Sequence, residues 1–159
     1  MTFADLVTGE PVFVDANTFV YHFTAHHLFG PACSQFLLRI ARQEVALSEV
    51  AHRVMTTEAS SLHKWSASGI VPRLKQHPDI VKSLANFRQA VEQIPQYGVQ
   101  VLVIPADLVA TAATISQQTG LLSNDALIVA IMQANGLSKL ASNDADFDRV
   151  PGLTRYAPT

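Results

Sequence analysis

PVFVDANT, residues 11–18, is the stretch from which the fold can be read. Val12-Phe13-Val14 is a short apolar run, β-branched and aromatic, that stops at Asp15. Such a run reads as a buried strand rather than a turn of helix. The strand therefore ends on an acid, and a helical stretch follows from about Thr18.

Working outward, Gly30-Pro31 restarts a helix in which Cys33, Phe36, Leu37 and Ile40 keep helical spacing, with Arg39 and Arg42 on the polar side. Residues 44–47 are a candidate short strand. Ser48 fits an N-cap before Glu49, an acid favoured in a first helical turn by the macrodipole. Residues 60–77, with Gly69 and Pro72, read as helix with breaks, and residues 79–94 as a further helix. The clearest strand is Val99 to Ile104, closed by Pro105. A helix over 107–119 ends at Gly120. Ser123-Asn124 then caps a helix that opens at Asp125 and stops at Gly136, a C′ glycine. A short strand over 139–142 runs into Asn143-Asp144. Strands alternating with helices give an α/β fold with a largely parallel sheet covered on both faces. In such folds ligands sit outside the carboxyl ends of the strands.

Composition narrows the function. The 159 residues suit one domain spanning 1–159, and 48% hydrophobic against 15% charged residues supports a sizeable core and excludes a disordered chain. With 11 Lys and Arg against 13 Asp and Glu, the formal charge of −2 gives no global basic field, so nucleic-acid binding would have to be local. A single cysteine excludes an intramolecular disulfide. The first nine residues lack the basic and apolar regions of a signal peptide, and no apolar run reaches membrane-spanning length, so a soluble cytoplasmic protein is expected.

Near the C-terminus KLASNDADFDRVPGL, residues 139–153, places three aspartates at alternate positions. Their mutual repulsion calls for a turn or a metal to offset it. Asp15 and Asp144 each follow a strand, and Glu49 and Asp125 each open a helix, so the four can face one crevice. Clustered carboxylates suit hard divalent cations and phosphoryl chemistry, in which paired Mg²⁺ or Mn²⁺ ions activate water and stabilise a leaving alkoxide. Asn17, Ser142 and Asn143 are candidates to orient the ligands by hydrogen bonding. Each acid also has a purely structural explanation: a strand end for Asp15, favoured helix starts for Glu49 and Asp125, an Asx turn for Asp144. Asp146 and Asp148 read as turn and solvated edge.

VFVDANTFVY, SEVAHRVMTTEA, LLSNDALIVAIMQANGL and KLASNDADFDRVPGL resemble, in order, the successive blocks of a PIN domain, and in particular of the VapC-type toxins of toxin–antitoxin modules. The resemblance covers nearly the whole chain. It implies an α/β/α sandwich and a Mg²⁺- or Mn²⁺-dependent endoribonuclease, homodimeric and silenced by a VapB-type antitoxin. Asp15, Glu49, Asp125 and Asp144 would be its catalytic, metal-holding quartet. Ala16 departs from the Thr or Ser common in the family, and residues 60–96 fit it loosely. That segment carries Lys64, Trp65, Arg73, Lys75, His77, Lys82 and Arg88, a local basic and aromatic supply. Lys64, Arg73 and Lys75 are candidate RNA contacts, and the ring of Trp65 could stack a base. The bland alternative is a solvated helical face with Trp65 half-buried, or an antitoxin groove.

Two rival functions remain. Asp15-Ala-Asn-Thr18 is similar to the phosphotransferase pattern of a nucleophilic Asp followed two residues on by an acidic partner. Asn17 stands where that acid would be, which argues against it. The other rival is a catalytically silent PIN-like scaffold that binds RNA or protein. His22 and His26 share helical spacing without a third ligand nearby and read as a surface face, and Cys33 reads as a small core hydrophobe.

Overall fold

A computed structural model describes residues 1–159 except 8, 40–42, 46, 67 and 103, and it leaves the side chains of 43–45, 47–49, 99 and 101 outside the description. Its strands are β1 (Val12–Val14), β2 (Gln43–Val45), β3 (Val99–Val101), β4 (Lys139–Ala141) and β5 (Thr154–Tyr156). They pair in parallel in the order β3-β2-β1-β4-β5. The helices are α1 (Ala16–Phe23), α2 (Gly30–Arg39), α3 (Leu47–His63), α4 (Ile70–Gln76), α5 (Pro78–Ser83), α6 (Asn86–Gln93), α7 (Ala106–Thr119) and α8 (Ser123–Ala134).

All three residues of β1 are buried because each face of the strand meets a different layer. Val12 and Val14 pack with Phe19 of α1, Cys33, Phe36 and Leu37 of α2, Val50 and Val54 of α3 and Ala90 of α6. Phe13 points the other way, into Ala112 and Ile115 of α7 and the buried side chains of α8. This alternation is what a strand's two-residue period requires of a sheet covered on both sides. Within α8, Ala126 and Ile128 through Met132 are all buried, which fixes the helix that carries Asp125 at its start. Cys33 is fully buried, and burial pushes its thiol up to about 12, consistent with a core hydrophobe.

Several boundaries differ from the sequence reading, each for a local reason. β3 stops at Val101, so the strand expected to reach Ile104 is shorter, and Ile104 is exposed. α3 begins at Leu47, which puts Ser48 inside the first turn rather than at the cap. α8 begins at Ser123, and its N-cap residue is Leu122, with no side-chain cap bond. Gly120 and Gly136 do take left-handed conformations, at φ 73° and 67°, where α7 and α8 end. β5 was not anticipated, since Thr154-Arg155-Tyr156 is too short and mixed to signal a strand; it forms because β4 offers it an edge.

The helix expected over 79–94 is broken. Leu84 turns extended and drops into a satellite core with Ala59, Ile70 and Leu74. The break exposes new amide donors at the start of α6, and the buried Glu58 of α3 takes them. Its Oε1 accepts from the N–H groups of Ala85 and Asn86 at 3.0 and 3.1 Å, and its Oε2 from those of Asn86 and Phe87 at 3.0 and 3.4 Å. A carboxylate facing a helix N-terminus is also favoured by the helix dipole.

His22 is a second connector, half-buried between the helices. Its Nδ1 lies 2.8 Å from Ser34 Oγ and its Nε2 2.9 Å from Tyr97 Oη, joining α1 to α2 and to the turn before β3. His22 therefore faces inward, which corrects the surface reading. His26 Nδ1 accepts the N–H groups of Leu28 and Phe29, both at 3.3 Å, just ahead of α2.

Two measurements test these anchors. Glu58→Ala is expected to lower the unfolding free energy by about 2 kcal/mol in denaturant titration, the scale of a lost charged cap. A loss under about 0.5 kcal/mol would contradict the anchoring role. Burial pushes the pKa of His22 below its usual 6.5. Below that pH the unfolded chain binds a proton that the folded chain resists, so stability is full above it and falls as pH drops. Melting temperature should decline from pH 7 to 5 with a smaller slope in His22→Gln; equal slopes would exclude His22 as the source.

Candidate active site

The strand order places the site. From β1 the chain moves outward to β2 and then β3 on one side, and only later returns to lay β4 and β5 on the other. The switch point therefore lies between β1 and β4, and a parallel sheet opens a crevice outside the carboxyl ends of strands at such a point. Asp15 follows β1 there, and Ser142 follows β4, in register because Val14 pairs with Ala141.

Asp15 is only 4% exposed. Its Oδ2 accepts from Ser142 Oγ at 2.6 Å and from Asn17 Nδ2 at 2.8 Å. Arg53 of α3 in turn donates from Nη1 to Asn17 Oδ1 at 2.5 Å. Ser142 Oγ also accepts the Asp144 N–H at 3.0 Å. One connected network thus joins Arg53, Asn17, Asp15, Ser142 and the backbone of Asp144. Such donors orient a carboxylate in a buried place.

The three C-terminal aspartates have three different partners. Asp144 Oδ1 accepts the Asp146 N–H at 2.9 Å, an Asx turn that starts a 3-10 turn over Ala145–Arg149. Asp146 pairs with Arg149 at 2.5 Å. Asp148 receives Arg155 bidentately, Nε to Oδ1 at 2.8 Å and Nη2 to Oδ2 at 2.9 Å, and the guanidinium holds its carboxyl below the usual range. Arg155 Nη1 also donates to the Ser142 carbonyl at 3.2 Å, so β5 braces the loop from behind.

The other sequence candidates divide. Asp125 sits partly buried in the first turn of α8, and its neighbour Asn124 lines the adjoining cleft together with Asn17. The backbone of Glu49 lies in the first turn of α3, directly after β2, while its side chain is outside the described atoms. Asn143 Nδ2 donates to Tyr21 Oη at 3.3 Å rather than to an acid. Lys64, Arg73 and Lys75 are exposed on a separate corner, at and beyond the end of α3.

The cleft beside the acids encloses about 750 Å³ and includes Asn17, Tyr21, Arg53, Asn124 and Ile128 in its walls. Two positioning residues escaped the sequence reading. Arg53 had a signal available, since it lies one helical turn after Glu49 on the same face of α3. Arg155 had none, because β5 itself was not legible.

A divalent cation fits this donor chemistry in kind. The candidate ligands are hard carboxylate oxygens, without sulfur or imidazole, as Mg²⁺ and Mn²⁺ prefer. Among the described residues, no three His, Cys, Asp or Glu side chains form a metal-holding group by themselves. Mg²⁺ commonly uses one or two carboxylates and completes its shell with water and substrate phosphate, so the described acids remain a fitting partial set.

The PIN domain family model matches residues 12–153, and the chain belongs to that family. Among curated proteins none matches it. Among solved structures it is similar to a chain of a toxin–antitoxin complex from Klebsiella pneumoniae, at 19% identity and TM-score 0.55, covering 90% of this chain and 95% of that one. It is also similar to a chain of VapBC2 from Rickettsia felis bound to a promoter DNA fragment, at 17% identity and TM-score 0.56, covering 94% and 100%. A third is VapC20 from Mycobacterium tuberculosis, described as a sarcin-ricin loop cleaving toxin, at 15% identity and TM-score 0.59, covering 86% and 92%. At these identities the likeness is one of fold.

Ser142→Ala removes a donor to the buried Asp15 carboxylate and an acceptor for the Asp144 amide. The expected cost is about 1–3 kcal/mol of stability by denaturant titration. An unchanged midpoint would show that the network carries no strain-bearing load.

Proposed function

We propose that this protein is a metal-dependent endoribonuclease, the toxin component of a type II toxin–antitoxin module. The observation that carries the reading is the buried Asp15, held by Ser142 and Asn17 at the switch point of a parallel sheet in a PIN-domain chain. A buried, pre-oriented carboxylate at the ligand-binding edge of a sheet suits catalysis better than folding. The likeness to VapC20, a sarcin-ricin loop cleaving toxin, supports RNA as substrate, and the toxin–antitoxin complexes among the neighbours support a VapB-type antitoxin as partner.

In this reading Asp15, Glu49, Asp125 and Asp144 hold Mg²⁺ or Mn²⁺, which would lower the pKa of a bound water and neutralise charge on the scissile phosphate. The chain's own residues do the positioning. Ser142 and Asn17 fix the plane of the Asp15 carboxylate, Arg53 fixes Asn17, and the Asx turn fixes Asp144. Water adds to phosphorus and gives a proton to solvent, the bond to the leaving ribose oxygen breaks, and that oxygen takes a proton from solvent. A homodimer acting in the cytoplasm completes the proposal. No helix among the described residues is long and apolar enough to cross a membrane.

A second reading, a scaffold that binds without cutting, draws on the absence of a three-ligand group among the described residues. One experiment separates them: cleavage of total cellular RNA with Mg²⁺, Mn²⁺ or chelator, alongside melting temperature with and without metal. Wild type should cut only with metal and gain stability on adding it, by mass action. Asp15→Asn, Glu49→Gln, Asp125→Asn and Asp144→Asn should stay folded, lose the metal-induced shift and lose more activity than the roughly 10–100-fold typical of changes behind a metal's ligands. Wild type that neither cuts nor responds to metal would leave the scaffold reading.

A further inference from the structure

We infer that the corner between α3 and α4 is a second RNA-holding surface, a basic grip separate from the acids, that binds the strand beyond the scissile bond. The inference rests on the ribonuclease reading for its biological meaning, but its physical basis is independent. Residues 60–96 carry five Lys and Arg against two Asp and Glu, whereas the rest of the chain carries six against eleven. A chain of net −2 thus carries a net +3 on this arm (five cations less two anions), the local basic field that nucleic-acid binding needs.

The arrangement presents that charge outward. Lys64 takes a left-handed conformation, φ 53°, directly after α3. Arg73 and Lys75 stand on α4, and all three are exposed. No carboxylate pairs with any of them among the described residues. Trp65 is half-buried against the satellite core, and the guanidinium of Arg73 lies 5.8 Å from its ring centroid. His63 and His77 lie tilted beside the same ring, with centroids at 5.0 and 5.8 Å. In this inference Trp65 acts as a post that orients the Arg73 cation. A guanidinium held over an aromatic face loses less freedom on meeting a phosphate.

Continuity with the acids comes from α3. The cleft that contains Asn17 and Asn124 runs past Arg53, Thr56 and Thr57 to Ile70, and a shallower hollow continues it to Ser60 and Ser61. From Arg53 to His63 is ten residues of helix, about 15 Å at 1.5 Å per residue. The far end of α3 thus lies about 15 Å from Arg53, a few nucleotides of strand at roughly 3.4 Å per stacked nucleotide. RNA is the fitting occupant because the path joins a phosphate-cleaving edge to unpaired cations.

The test measures binding in chelator, where nothing is cut, using labelled polyuridine of 4 and of 20 nucleotides over a range of salt. The variant Lys64→Asn with Arg73→Gln and Lys75→Gln keeps polar side chains, and Asn tolerates the left-handed position. Wild type should hold the long strand at least about tenfold more tightly than the variant, and the variant's salt slope should be smaller by about 2, at 0.7 per lost contact. Wild type should also hold the short strand more tightly than the variant, by a smaller factor because fewer phosphates reach the cations, and the melting temperature should fall by no more than about 4 °C, the scale of the lost Arg73–Trp65 contact. Equal long-strand affinity and slope in wild type and variant would overturn the grip, even if an acidic protein then bound wild type alone. The nuclease reading fails separately: a wild type that never cuts yet shows the slope difference keeps the grip and loses the enzyme.

Discussion

Asp15 ends a strand with no exposed face, and its carboxylate meets Ser142 Oγ at 2.6 Å across the gap between β1 and β4. Both sides of that contact are set by the sheet. Val14 pairs with Ala141, so the residues after each strand emerge side by side. Burial on both faces permits no slip, since moving a strand by one residue would turn Phe13 into the layer built for Val12 and Val14. The register that satisfies the two cores is thus also the register that brings an acid to its hydroxyl partner.

The same constraint organises the loop after β4. Ser142 is fully buried and bonds in three directions, to Asp15, to the Asp144 amide and, through its carbonyl, to Arg155. Asp146 and Asp148 are neutralised by arginines, leaving Asp144 as the member of the run turned to the network. The mutual repulsion of three neighbouring aspartates is therefore met chiefly by cations on the protein itself. A turn and a metal are compatible answers for Asp144, because its Asx bond uses one carboxylate oxygen.

The arm from α3 to α6 follows a different principle. Val50 and Val54 of α3 and Ala90 of α6 pack on the sheet, while the outer part of the arm relies on a small satellite core, a buried carboxylate that caps α6 from another helix, and an aromatic ring beside exposed cations. The exposed cations at its outer end can change without disturbing the sheet, because Lys64, Arg73 and Lys75 lie outside both core clusters that cover it. That separation puts the basic corner and the acids at the strand ends on different parts of one chain.

Local pattern was enough for much of this. The run Val12-Phe13-Val14 before Asp15, the helical spacing in α2 and α8, and the glycines at 120 and 136 gave the α/β alternation, because period and backbone freedom are properties of neighbouring residues. The four-acid site was nominated from the acids' places at strand and helix ends and from family likeness. Tertiary structure decided what depends on residues far apart in sequence. Ser142 reaches Asp15 over 127 positions, Glu58 caps a helix 28 positions later and so breaks the one expected over 79–94, and β5 exists only because β4 gives it an edge. His22 turned inward for the same reason: its partner Tyr97 lies 75 residues away, and no local period encodes such a bond.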